Sequence, residues 1–175
     1  MEIKVTSLKR LKQAVVEYAP THVVSVLDPD FSARHDLPFD PTIDVLRLAF
    51  YDDDDLAHQT VPVEHYVRQI ADFLQQARST PASRLLVHCH AGASRSPAIA
   101  YMAYCIELGS ERAAFEQLMR ICNKPWPSEH IVGLADRVLN RNGRMLEQLR
   151  AYRDRYPRRF AAYQRLNRRR DLFSY

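Results

Sequence analysis

Arg84-Leu85-Leu86-Val87-His88-Cys89-His90-Ala91-Gly92-Ala93-Ser94-Arg95-Ser96-Pro97 decides how the rest of the chain is read. The apolar run from Arg84 to His88 has the length and composition of a buried strand. Small residues and Gly92 then turn the chain, and the apolar segment from Pro97 to Leu108 predicts a helix. Cys89 stands at the strand end and Arg95 six positions later, at the helix start. A strand–turn–helix of this kind aims backbone N–H groups and a helix N-terminus at one point, which suits an anion such as phosphate. The same positive field favours the thiolate of Cys89, a nucleophile. Arg95 adds a planar, permanently charged fork that can hold two oxyanion oxygens. The combination is suited to attack on phosphorus.

Working outward, Ile3 to Thr6 alternates as a short strand. Thr6-Ser7 offers a helix cap before a stripe of Leu8, Leu11 and Val15 that ends at Pro20. His22 to Leu27 is a β-branched run and reads as a buried strand. Asp28-Pro29-Asp30 is read as its stop, followed by a polar loop with Pro38 and Pro41. Ile43 to Phe50 alternates as another strand, and Val63 to Ala77 has helical periodicity. Downstream of the central stretch, Gly109 ends one helix and Ser110 caps the next, which runs to about Cys122. Asn123 to Ser128 breaks the pattern before a helix over Glu129–Asn140. Asn142-Gly143 breaks it again before a last helical region interrupted at Pro157. Strands alternating with helices, then helices alone, predict an α/β fold: a small, mostly parallel central sheet with helices on both faces and a helix-rich C-terminal half. Cys89 would lie outside the carboxyl end of a central strand, where open α/β sheets bind ligands.

His88-Cys89-His90-Ala91-Gly92-Ala93-Ser94-Arg95-Ser96 resembles the phosphate loop of the cysteine-based protein tyrosine phosphatases, whose pattern H-C-x-x-G-x-x-R-S/T is met at every fixed position. The element order is similar to the compact dual-specificity branch. Ser25 to Pro29 and Leu134 to Arg144 look similar to a bacterial subset of it. The resemblance spans roughly Val23 to Asn142 and is most specific at the loop. It implies Cys89 as nucleophile, Arg95 as phosphate clamp and Ser96 as the hydroxyl that helps the thiolate leave. It implies His88 as a hydrogen-bonding support of the loop. His90, Ala91, Gly92, Ala93, Ser94 and Arg95 would surround the substrate phosphate. No cofactor and no metal are implied, and the substrate would be a phosphorylated protein or peptide.

A thiolate attacking a phosphate ester needs a proton for the departing oxygen. In the family an aspartate in a loop upstream of the cysteine supplies it. Here Asp52, Asp53, Asp54 and Asp55 follow the Ile43–Phe50 strand. The first residues after the strand are best placed to reach the pocket, so Asp52 is the first choice and Asp53 the second. A solvated acidic loop with no catalytic member is the plain alternative, and His58 is another donor to weigh. Phosphoinositide substrates would be matched by lysines in the loop, which this loop lacks. Two other readings of the cysteine loop are a phosphate-binding interaction module without turnover and a rhodanese-like sulfurtransferase. Cys122 reads as a buried structural thiol, Trp126 as a packing plug, and Asp136 as part of a structural polar contact.

The chain has 175 residues, 46% of them apolar and 26% charged, as expected of one globular catalytic domain. No apolar run approaches the ~18 residues of a membrane span. Three cysteines without framework spacing and an N-terminus unlike a signal peptide point to the cytoplasm. Net charge is unevenly placed: +9 from Arg137 to Tyr175 against −5 before it. Residues 1–156 are expected to form the domain and 157–175 a basic helical tail packed on it. Tyr152, Tyr156, Phe160, Tyr163 and Leu166 recur at near-helical spacing, which suggests the docked face. An acidic partner for the arginines is the other reading of the tail.

Overall fold

The computed structural model describes residues 1–35, 37, 39–52 and 64–169. Among the described residues, four strands form one parallel sheet in the order β1 (Glu2–Ser7), β4 (Arg84–Cys89), β2 (His22–Leu27), β3 (Asp44–Ala49). All six residues of β2 are buried, because it is covered on both faces and flanked on both sides. That is why its sequence is an apolar run rather than an alternation. Alternate side chains of the central strands serve two cores. Val23 and Leu86 pack with Leu11 and Ala14 of α1 (Leu11–Tyr18) on one face. Val24, Val26, Leu85 and Val87 face the larger core, which holds α3 (Glu64–Ser79), α4 (Arg95–Leu108), α5 (Glu111–Ile121), α6 (Glu129–Val138) and α7 (Arg144–Arg155). The expected α/β architecture with helices on both faces is what the chain adopts.

The helix boundaries follow local chemistry. α4 is buried almost all round, as its near-uniform apolarity demands, and stops where Gly109 takes φ +66°. The Ser110 and Ser128 hydroxyls accept the Ala113 and Ile131 N–H groups and cap α5 and α6. The buried Asp136 carboxylate accepts the Gly143 N–H at 2.6 Å and the Met145 N–H at 2.8 Å, tying the end of α6 to the start of α7. Tyr152 of α7 donates to the Pro125 carbonyl at 2.6 Å. The Trp126 ring stacks on Phe160 of α8 (Arg159–Arg169), with ring centres 5.2 Å apart.

Two local expectations are corrected. Residues 29–34 are not a loop: Pro29–Arg34 forms the short helix α2. Asp28 is its extended N-cap residue, Pro29 occupies the first helical position, and Asp30 lies in the first turn. A proline there has the right φ and loses no hydrogen bond, and an acid there complements the helix dipole. Ser7 makes no side-chain cap. It is still in the ladder, paired with Cys89, and the chain passes through a 3-10 turn, Leu8–Arg10, before α1 begins.

Candidate active site

Because every strand pair is parallel, all four strand C-termini reach the same edge of the sheet. Cys89 ends β4, Asp28 follows β2, Phe50 to Asp52 follow β3, and Ser7 ends β1. Residues remote in sequence therefore meet around the loop from Cys89 to Ser96.

The loop is held largely by backbone. Gly92 has φ +70°, which only glycine adopts freely, and its N–H donates to Cys89 Sγ at 3.2 Å. A Cβ on Gly92 would lie 2.9 Å from three backbone atoms of Thr6 and Ser7, so the loop also needs glycine for clearance against β1. The Leu8 N–H donates to the His90 carbonyl at 3.1 Å, and the Trp126 N–H to the Ala93 carbonyl at 2.8 Å. These contacts turn loop carbonyls outward to neighbouring segments. Cys89 and Ser96 are both buried, with Sγ and Oγ 3.1 Å apart. The hydroxyl thus stands beside the sulfur, where it can donate to a thiolate.

The charged side of the site comes from β2 and β3. Arg95 is buried; its Nη1 donates to Asp28 Oδ1 at 2.7 Å and to the Phe50 carbonyl at 2.6 Å. Burial opposes its charge, but Cys89, Asp52 and Asp28 outweigh that and raise its pKa above the ordinary arginine value. Asp52 accepts the Ser94 hydroxyl at 2.9 Å, and its other oxygen stands 3.8 Å from Arg95 Nε. Asp52 therefore touches both the loop and the clamp. Asp53, Asp54, Asp55 and His58 lie outside the described residues. Beside Asp28 a cavity of about 370 Å³ is lined by Asp28, Asp30, Phe31, Arg34, His35 and Tyr51.

Among the described residues, His88 does not make the hydrogen bonds that the resemblance implies, and His90 has partners of its own. His88 is fully buried, and neither ring nitrogen has a hydrogen-bond partner among the described residues. By strand alternation its ring lies on the α1 face, near Phe39, and not toward the loop. Burial, reinforced by the positive groups around it, lowers its pKa to about 4, so it is neutral at physiological pH. The His90 ring lies against Asp28 and Phe31. Its Nε2 lies 3.2 Å from both the backbone nitrogen and Oδ2 of Asp28, and its ring meets the edge of Phe31. Burial lowers its pKa against the pull of Asp28, and the neutral ring accepts the Asp28 N–H. The residues that sequence reasoning missed are Asp28, the Phe50 carbonyl and the Trp126 amide. Asp28 was read only as part of the stop after the second strand, and the two backbone groups left no signal.

Neither a protein-family model nor a curated protein matches the chain by sequence. Solved structures do match in fold. The chain is similar to DUSP15, with 18% identity, a TM-score of 0.60, and coverage of 85% of this chain and 90% of that one. It is similar to human DUSP28, with 18% identity, a TM-score of 0.58, and coverage of 79% and 92%. It is also similar to PTPMT1, solved in complex with PI(5)P, with 15% identity, a TM-score of 0.57, and coverage of 81% and 94%. The fold is that of the cysteine-based phosphatases of the dual-specificity type.

Proposed function

We propose that the protein hydrolyses phosphomonoesters through a cysteinyl-phosphate intermediate, as a protein-tyrosine or dual-specificity phosphatase. The observation that carries the reading is the meeting of Cys89, Ser96, Arg95 and Asp52 at one sheet edge in a phosphatase fold. Cys89 attacks phosphorus in line, and the loop N–H groups and Arg95 stabilise charge on the equatorial oxygens. Asp52 protonates the departing oxygen and then activates water for the second step, with Asp53 as the alternative acid. Ser96 donates to the sulfur as it leaves, 3.1 Å away. His90, Ala91, Gly92, Ala93 and Ser94 supply the frame around the phosphate. The aromatic walls of the neighbouring cavity, Phe31 and Tyr51, support a substrate whose phosphate is carried by a ring, hence a phosphotyrosyl protein or peptide. The paired thiols expected of a secreted protein are not part of this reading, in which the enzyme works in the cytoplasm. In this reading the tail expected over 157–175 begins as a basic helical segment, α8, docked on the domain with Phe160 on Trp126 as the anchor; residues 170–175 and the side chains of Tyr163 and Leu166 lie outside the described residues.

The test is release of p-nitrophenol from p-nitrophenyl phosphate. Wild type should turn over, Cys89→Ser should not, and a chelator should make no difference. Phosphopeptide binding without release would make the protein a binding module, and cyanide-dependent thiocyanate formation would make it a sulfurtransferase.

A further inference from the structure

We propose that Asp28 is the positioning residue for the phosphate clamp. It holds Arg95 by Nη1 so that the Nε edge of the guanidinium is presented to the oxyanion. The inference rests on the reading of Arg95 as the clamp and deepens it by naming what aims it.

The geometry has three parts. Asp28 Oδ1 and the Phe50 carbonyl both accept from Nη1, at 2.7 and 2.6 Å. That end of the fork is therefore committed to the protein. Arg95 Nε is buried and has no hydrogen-bond partner among the described residues. A buried guanidinium donor left unsatisfied is costly, and an arriving oxyanion would satisfy it. Asp28 is itself anchored: its Oδ2 stands 3.2 Å from His90 Nε2, its N–H donates to that same nitrogen, and it is the N-cap residue of α2. Phe31 of α2 closes the arrangement against the His90 ring.

The alternative partner for the guanidinium is already present. Asp52 Oδ2 is 3.8 Å from Arg95 Nε. Without Asp28, the nearest remaining carboxylate would draw the guanidinium toward the proposed acid and away from its resting orientation. Asp28 thus ties down the Nη1 end, while Nε stays 3.8 Å from Asp52 Oδ2. The opposite role, Asp28 competing against phosphate for Arg95, predicts the opposite sign of effect on phosphate binding.

The experiment is a titration of the full chain with inorganic phosphate, followed by the Arg95 Nε–H resonance in wild type, Asp28→Asn and Asp28→Ala. The wild-type resonance should shift on binding. Asp28→Ala should raise the dissociation constant about tenfold or more, the scale of one charge-assisted hydrogen bond, and shrink the Nε–H response. Asp28→Asn, which keeps an acceptor oxygen, should lose less and should share the wild-type fold by its remaining resonances. With p-nitrophenyl phosphate, KM should rise with the same ranking. Unchanged or tighter phosphate binding in Asp28→Ala would overturn the proposal. So would a wild-type Nε–H that ignores bound phosphate. A wild type that binds phosphate but never turns over substrate would defeat the phosphatase reading and leave the role of Asp28 to be decided by the binding data.

Discussion

The two sides of the site are built by different physics. The loop side, from Cys89 to Ser96, is fixed by backbone hydrogen bonds, one left-handed glycine and close packing against β1. The acid side is made of Asp28 and Asp52, which arrive from other strands and reach the loop through charged side chains. Backbone geometry and sterics are local or nearly so, and they tolerate little change. Charged contacts across strands are adjustable, and their worth depends on what else is bound. The loop side should therefore break as a structure, and the acid side should break as chemistry.

The largest expected effect is on the loop side. Gly92→Ala puts a Cβ into backbone 2.9 Å away at φ +70°. Strain and overpacking together should cost about 4 kcal/mol of stability and displace the amide that meets Cys89 Sγ. Chemical denaturation would show the loss, and an unchanged midpoint with full turnover would refute the steric account.

His88 tests the buried floor of that side through pH. Its folded pKa is about 4, below the ordinary histidine value. The unfolded chain takes up the proton near pH ~6.5 and the native chain only near 4, so stability is lost as pH falls through that window. The full difference is about 3 kcal/mol at ~1.36 kcal/mol per pH unit. Denaturation midpoints of His88→Asn at about pH 7 and about pH 4.5 should lack this part of the wild-type slope. Equal slopes would mean that the ring is solvated or charged in the native protein.

On the acid side, Asp52→Asn should leave the fold intact. It should lower turnover of a phosphotyrosine peptide about a hundredfold, the lower end of general-acid contributions, and spare an aryl ester with a good leaving group. Equal losses on both substrates would remove Asp52 from the proton-donor role and favour Asp53. The smallest effect belongs to the tail. Phe160→Ala should cost about 1 kcal/mol of stability by removing the ring on Trp126 and leave turnover of a small ester nearly unchanged.

The same contrast explains what could be read from the chain. The strand, loop and helix around Cys89 were legible because periodicity, small residues and a contiguous motif all lie within one stretch. The caps at Ser110 and Ser128 and the stop at Gly109 were legible for the same reason. Helix α2 was missed although Asp28-Pro29-Asp30 is a good helix start, because the same residues also make a good turn and the helix is only one and a half turns long. The partnership of Asp28 with Arg95 spans 67 residues and depends on β2 lying beside β4, which no local pattern states. His88 and His90 stand two positions apart and would share a face by alternation, yet one lies under the sheet and the other at its edge. Strand alternation ends at Cys89, so periodicity could not carry from one to the other.

The central claim is that phosphate passes through Cys89. Rapid acid quench of Ser96→Ala during turnover of a phosphopeptide, with mass analysis of the segment that contains Cys89, tests it most directly. Removing the hydroxyl 3.1 Å from Sγ should slow release of the thiolate, so the account predicts one phosphoryl group accumulating on Cys89. Turnover with Cys89 unmodified, or turnover that survives Cys89→Ser, would contradict it.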